Sequence, residues 1–143
     1  MDLLLQYLLI FVLAATPWIE LLIVIPAGAA MGLSLPLVTL TALIGNALPI
    51  FLIIALFRTW ERRYGPIQRK WGAHAMRIWE RYGLPGLAMT APLVTGIHLA
   101  AVMSLALGSE QQRAALWMVS SLMIWAVVTA LLTHLGVSWL RTD

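Results

Sequence analysis

Residues 17–36, PWIELLIVIPAGAAMGLSLP, decide the fold class of this 143-residue chain. The stretch is almost wholly apolar, yet it holds a carboxylate, Glu20, and a Pro26-Ala27-Gly28 sequence six residues further on. Of the six acidic residues, only Glu20 sits inside a long hydrophobic run. A carboxylate at bilayer depth costs roughly 2.5–3.5 kcal/mol on insertion scales, and such residues default to functional roles. Pro26 lacks an amide donor and clashes with the preceding turn, so a straight helix through it is not expected. Backbone groups freed by a break are tolerated in a membrane only against protein or a wet cavity. The stretch is therefore expected to form a re-entrant, cavity-lining element, with the rest of the chain as its support.

Composition agrees. The chain is 62% hydrophobic and 10% charged, where an ordinary soluble domain is about 25% charged, so an integral membrane protein is expected. About four or five membrane segments use up the length and leave no room for a separate soluble domain. Cysteine is absent, which excludes disulfides, thiolate nucleophiles and Cys-ligated metals. The pI near 10.0 does not point to nucleic acid, because of where the basic residues lie. Seven of the nine Lys and Arg (Arg58, Arg62, Arg63, Arg69, Lys70, Arg77, Arg81) fall in one 24-residue interval between apolar runs. That is the positive-inside signature, and it places residues 58–83 in the cytoplasm. Residues 3–16 are not expected to be a cleaved signal peptide, since the start is Met-Asp with no basic region and Pro17 would follow the cut.

Residues 3–16, only 14 long, would span about 21 Å as a helix, less than a hydrocarbon core of about 30 Å. Leu37–Phe57 is long enough to cross, with an expected kink at Gly45-Asn46 and Pro49. In residues 58–83, Trp60, Tyr64, Ile67 and Trp71 recur at helical spacing opposite a basic face, broken at Gly65-Pro66. An amphipathic helix pair on the inner leaflet is expected, with Trp60, Arg62, Arg63, Arg69, Lys70, Trp71 and Arg77 at the membrane surface. The second interrupted run, Leu84–Gly108, breaks at Pro92 and Gly96, and Ala114–Leu135 is an uninterrupted span.

Each half thus has a broken segment with proline and glycine followed by a full helix, and Pro26 and Pro92 are placed as counterparts. With residues 58–83 inside, Leu37–Phe57 runs inward and Ala114–Leu135 outward. Interrupted segments in two halves of opposite orientation point to an inverted-repeat transporter site. The expected fold is an all-α integral membrane protein. It would have two re-entrant helical hairpins, full transmembrane helices in an inverted repeat, and a cytoplasmic-side amphipathic segment.

A glutamate leading to Ile25-Pro26-Ala27-Gly28, a basic aromatic middle, then Pro92-Leu93-Val94-Thr95-Gly96 before a helix: this order resembles the small multidrug export proteins, related in turn to the DedA/VTT membrane superfamily. The resemblance implies two re-entrant hairpins meeting near the midplane of a bacterial inner membrane. The superfamily's hairpins carry a membrane acid and, in many members, arginines. Its suggested activities are proton-coupled export and movement of lipids such as polyprenyl phosphates. By position Glu20 matches the acidic site of the first hairpin, and Pro92, Thr95 and Gly96 match the second. No arginine lies in either hairpin here, and His98 is the only basic-capable group in the second, so no fixed cation is available for a phosphate headgroup.

A carboxyl in apolar surroundings that releases its proton when the site opens to water can couple proton flow to substrate movement, and Glu20 is the candidate. His98 is its natural partner if the hairpins cross. Asn46, Thr90, Thr95 and Ser104 either line a cavity or bond their own helix carbonyls. Pro26, Gly28, Asn46, Pro92, Thr95 and Gly96 complete the candidate cavity. Gly28 and Gly32 fit the small-xxx-small packing pattern or serve a turn, and a homodimer is expected on size grounds. Enzyme motifs are missing, three dispersed histidines make no metal site, and no cofactor is expected. The leading expectation is a small inner-membrane secondary transporter coupling H⁺ to an amphipathic or lipid substrate. The alternatives are an energy-independent lipid scramblase of the polyprenyl-phosphate type and a non-transporting membrane scaffold.

Overall fold

The computed structural model describes residues 2–65 and 73–140. These form six helices: α1 (Leu3–Ala15), α2 (Leu21–Ala30), α3 (Leu35–Tyr64), α4 (Ala73–Val94), α5 (Ile97–Ala106) and α6 (Gln111–Leu140). Among them α3 and α6 are long and apolar enough to cross a membrane. Only 22% and 28% of their most apolar windows are buried, unlike a soluble core helix. Leu37, Leu40, Ile44, Leu48 and Phe51 of α3 all lie open, as do Leu116, Met123, Val127 and Leu131 of α6. So large an uncovered apolar surface belongs in lipid. The chain is an all-helical membrane protein. At 10 residues each, α2 and α5 reach about 15 Å and cannot span the core alone.

The helix bounds repeat. Leu21 and Ile97 open helices of 10 residues and Leu35 and Gln111 open helices of 30, in each case 76 positions apart (97 − 21 and 111 − 35). Gly32 and Gly108, in the same register, both turn at positive φ, 79° and 89°, where a side chain would be strained. The buried positions repeat too. Val38, Ala42, Gly45, Asn46 and Ile50 are buried on α3, and Ala114, Met118, Ser121, Leu122 and Ala126 on α6. On the short helices Leu21, Val24, Ile25 and Gly28 match Ile97, Ala100, Ala101 and Ser104, and α5 buries His98 and Leu105 besides. Spacings of three and four keep each set on one helical face.

This register corrects the pairing of prolines. Pro26 lies inside α2 and Pro92 inside α4, and at a shift of 76 they are not counterparts. Nor does Pro26 break its helix. One backbone bond is forgone, which membrane helices accommodate through neighbouring groups. Pro49 likewise lies within α3. The first break falls at residues 16–20 instead, while the second falls at Thr95-Gly96, where Gly96 was expected to interrupt the run and Pro92 does not. Gly83 (φ 57°, ψ −157°) kinks α4, separating residues 73–82 from 84–94.

The first limb of the amphipathic segment is not a separate surface helix but the last two turns of α3. Trp60 and Tyr64 stack there at 4.6 Å between ring centres, and Arg62 and Arg63 occupy the last turn, where a cation complements the helix dipole. Arg77 is exposed on α4. The expected surface residues Arg69, Lys70 and Trp71 lie outside the described residues.

Two compact units divide the chain, Met1–Pro49 with Leu122–Asp143, and Ile50–Ser121. In the first, α3 docks closely on α1 and α2. A Cβ on Gly28 would stand 2.6 Å from Val38 Cγ1, and one on Gly45 would stand 2.7 Å from the Phe11 carbonyl oxygen. Gly28 therefore serves helix packing within the chain and Gly32 serves the turn. The Ser34 amide donates to the Tyr7 hydroxyl (3.2 Å), fastening the α2–α3 turn to α1. In the second unit the buried Ser121 hydroxyl donates to the Ala88 carbonyl at 2.6 Å, tying α6 to α4. Gln111 Nε2 donates to Glu61 Oε2 (3.3 Å), joining the first turn of α6 to the last turn of α3. Ser121→Ala should lower stability by about 0.6–1.7 kcal/mol, the range for interhelical hydrogen bonds in membranes, as read from a thermal melt in detergent.

Candidate functional site at the break between α1 and α2

Residues 16–20 join two short apolar helices, and each backbone group there needs a partner. Thr16 ends α1, its hydroxyl donating to the Val12 carbonyl (2.8 Å) and its amide to Leu13 (3.1 Å). The Ile19 amide donates to the Thr16 carbonyl (3.1 Å), and Trp18 between them takes φ 83°, a left-handed conformation rare for a bulky residue. Glu20 is extended (φ −85°, ψ 154°), and its carbonyl accepts from Ile23 (3.0 Å) and Val24 (3.3 Å), making it the N-cap of α2. Trp18 is 84% exposed and Glu20 only 7%. The turn sends the indole outward and the carboxylate inward.

Glu20 caps α2 by backbone alone, since its side chain makes no capping hydrogen bond. Asn46 holds the first helical amide, that of Leu21. It is 0% exposed in the middle of α3. With its amide oriented to match its neighbours, Nδ2 donates to the Ala14 carbonyl (3.1 Å) and Oδ1 accepts from the Leu21 amide (2.7 Å). One side chain closes the end of α1 and the start of α2 together. Asn46 thus reaches beyond its own helix to two others.

The candidates separate by unit. Glu20, Pro26, Gly28 and Asn46 belong to the first; Pro92, Thr95, Gly96 and His98 belong to the second. In the second, the Gly96 amide donates to the Ala91 carbonyl (2.7 Å) and Gly96, at φ 80°, caps α5. Thr95 Oγ1 approaches the Gly96 carbonyl at 3.4 Å. His98, 5% exposed, is the second residue of α5. A buried ionisable residue therefore marks the N-terminal end of each 10-residue helix. Thr90 and Ser104 bond carbonyls of their own helices, Gly86 (2.8 Å) and Ala101 (2.9 Å).

The first unit also has an apolar groove of about 460 Å³, open along one side. Leu35, Leu40 and Leu43 from the start of α3 line it with Val127 and Leu131 from the end of α6, and the exposed His134 lies at its margin. Among the described residues no group of three His, Asp or Glu could hold a metal ion. Sequence reasoning missed the bridging role of Asn46, whose partners lie 25 to 32 residues away in the chain. It also missed Ser121 and Gln111, which carry no signal beyond being polar in an apolar helix.

Residues 20–128 match the family model described as putative small multi-drug export protein, a span that starts at Glu20 and includes Asn46 and His98. No curated protein and no solved structure matches the chain.

Proposed function

The chain belongs to the small multi-drug export family, and from that premise we propose that it is a small secondary transporter coupling proton movement at Glu20 to export of an amphipathic substrate. The observation that carries this reading is the position of Glu20. It is a buried carboxylate in a helix break between apolar helices, where ionisable groups in membranes default to function. His98, at the matching end of α5, is its proposed proton partner. The apolar groove suits the hydrophobic part of a substrate, being within the size range of small-molecule sites. We further propose that α1–α2 and residues 84–106 form re-entrant hairpins in an inverted repeat, as in the related DedA/VTT proteins, in a bacterial inner membrane. The short spans of α2 and α5 support this. So does the pairing in each unit of one end of α3 with the opposite end of α6.

Coupling is tested by proton flux in proteoliposomes with a trapped pH dye, challenged with lipophilic cations and with a short polyprenyl phosphate. Substrate-driven acidification is the expected result. Topology has a separate test, because the chain has no cysteine. Single cysteines replacing Ser34 or Ser109 should react with an impermeant maleimide from the outside and the inside respectively. Labelling of both from one side would end the inverted-repeat reading.

A further inference from the structure

We propose that Pro92 and Ser121 form a releasable latch that holds the end of α4 on α6. In an unbroken helix the amide of residue 92 would donate to the carbonyl of residue 88, but proline has no N–H to give. The Ala88 carbonyl thereby loses its donor four residues on. Ala88 and Ser121 are both 0% exposed, and a buried carbonyl without a partner is costly. Ser121 supplies the missing donor from α6, its hydroxyl giving to that same carbonyl at 2.6 Å. The proline opens an acceptor and the serine of the facing helix closes it. A bond internal to one helix is thus exchanged for a bond between two, which breaks without unwinding either.

The segment held in this way is bounded for movement. Residues 84–94 lie between two glycines at positive φ, Gly83 (57°) and Gly96 (80°), with Ala88 near their middle. Ser121 has a second acceptor to turn to, the Trp117 carbonyl four residues back on its own helix, just as Thr39 and Thr90 bond Leu35 and Gly86. Release leaves the Ala88 carbonyl in need of a new donor, and inside a membrane that donor is water. The released segment therefore admits water beside it. The first half has no such latch. Val12 stands 76 positions before Ala88 and its carbonyl also accepts a hydroxyl, but from Thr16 of its own stretch (2.8 Å). Gly45, 76 positions before Ser121, has no side chain to offer.

Two readouts test the latch, and neither uses transport, so it stands or falls apart from the coupling role of Glu20. The first is a double-mutant cycle of melting temperatures in detergent. Ser121→Ala is expected to lower the melting temperature in the parent chain. In Pro92→Ala the restored amide serves the Ala88 carbonyl, and there Ser121→Ala should cost much less. Equal losses in the two backgrounds would overturn the pairing of Pro92 with Ser121. The second readout places a cysteine at Ala91, 1% exposed, in a chain that has none. Its modification by N-ethylmaleimide in proteoliposomes is followed by mass spectrometry. Ser121→Ala should speed the reaction roughly 3- to 20-fold, the equivalent of one interhelical hydrogen bond in a membrane. Pro92→Ala should slow it, since a fixed helix bond then replaces the latch. A rate unmoved by Ser121→Ala would make the contact a permanent strut and overturn its release. If Ala91→Cys does not fold, hydrogen exchange of the amides of residues 89–91 decides in the cysteine-free chain. Faster exchange in Ser121→Ala supports the latch, and unchanged exchange removes it.

Discussion

Substrate-driven acidification of proteoliposomes is expected to fall to the level of protein-free vesicles when Glu20 is replaced by glutamine. Glutamine keeps the length and shape of the side chain and removes the one property that coupling requires, a proton that can be taken up and released. The fold should tolerate the exchange. Glu20 caps α2 through its backbone carbonyl and not its side chain, and the Leu21 amide is held by Asn46. A melting temperature in detergent, measured alongside, separates lost coupling from lost structure. Normal coupled flux in the variant would sink the transporter mechanism at this residue. Absence of flux in the parent with every compound would favour an energy-independent scramblase. The next assay would then follow labelled lipid without any ion gradient.

The second large effect is expected at Gly45, with Gly136 as its control. Both glycines are helical, on α3 and α6. An alanine Cβ at Gly45 would stand 2.7 Å from the Phe11 carbonyl oxygen, a backbone atom that moves only if α1 moves. Overpacking of this kind costs about 1–3 kcal/mol, and here the displaced helix also carries the Ala14 carbonyl held by Asn46. Gly45→Ala should lower the melting temperature and disturb the Glu20 break, and Gly45→Val should do more. At Gly136 an added Cβ meets nothing within 4 Å, so Gly136→Ala is expected to be neutral or to gain up to about 1 kcal/mol of helix propensity. Equal melting shifts for the two alanine variants would contradict the close docking of α3 on α1.

The class of the fold was legible in the sequence because it rests on composition and run length, and the long apolar runs became α3 and α6. Glu20 was legible as the unusual residue because charge in an apolar run is visible without coordinates. What surrounds it was not. Pro26 marks a helix break in water, but α2 passes through it, because one forgone bond does not outweigh the remaining ones. The turn was made instead by Trp18 at positive φ, a conformation that residue type argues against. The prolines Pro26 and Pro92, alike as letters, fall in unlike places, inside a 10-residue helix and inside α4. Helix bounds and buried positions match at a shift of 76, which sets Asn46 beside Leu122 and Glu20 beside Gly96, pairs of letters with nothing in common. A buried face constrains size and polarity more than identity, so such a match is invisible letter by letter.

The division into units sets which pieces of chain are available together during synthesis. Residues 50–121 form one unit from a continuous piece of chain, whereas the unit holding Glu20 joins residues 1–49 to residues 122–143. The ribosome adds about 5–20 residues per second, so the 72 residues between those pieces take roughly 4 to 14 seconds. Throughout that interval α1 and α2 exist without the part of α6 that belongs to their unit. The continuous unit can close first, since nearby contacts form before distant ones, and the surroundings of Glu20 are completed last. A frameshift or premature stop near residue 122 would leave Glu20 and Asn46 translated and 22 of the 71 residues of their unit unmade.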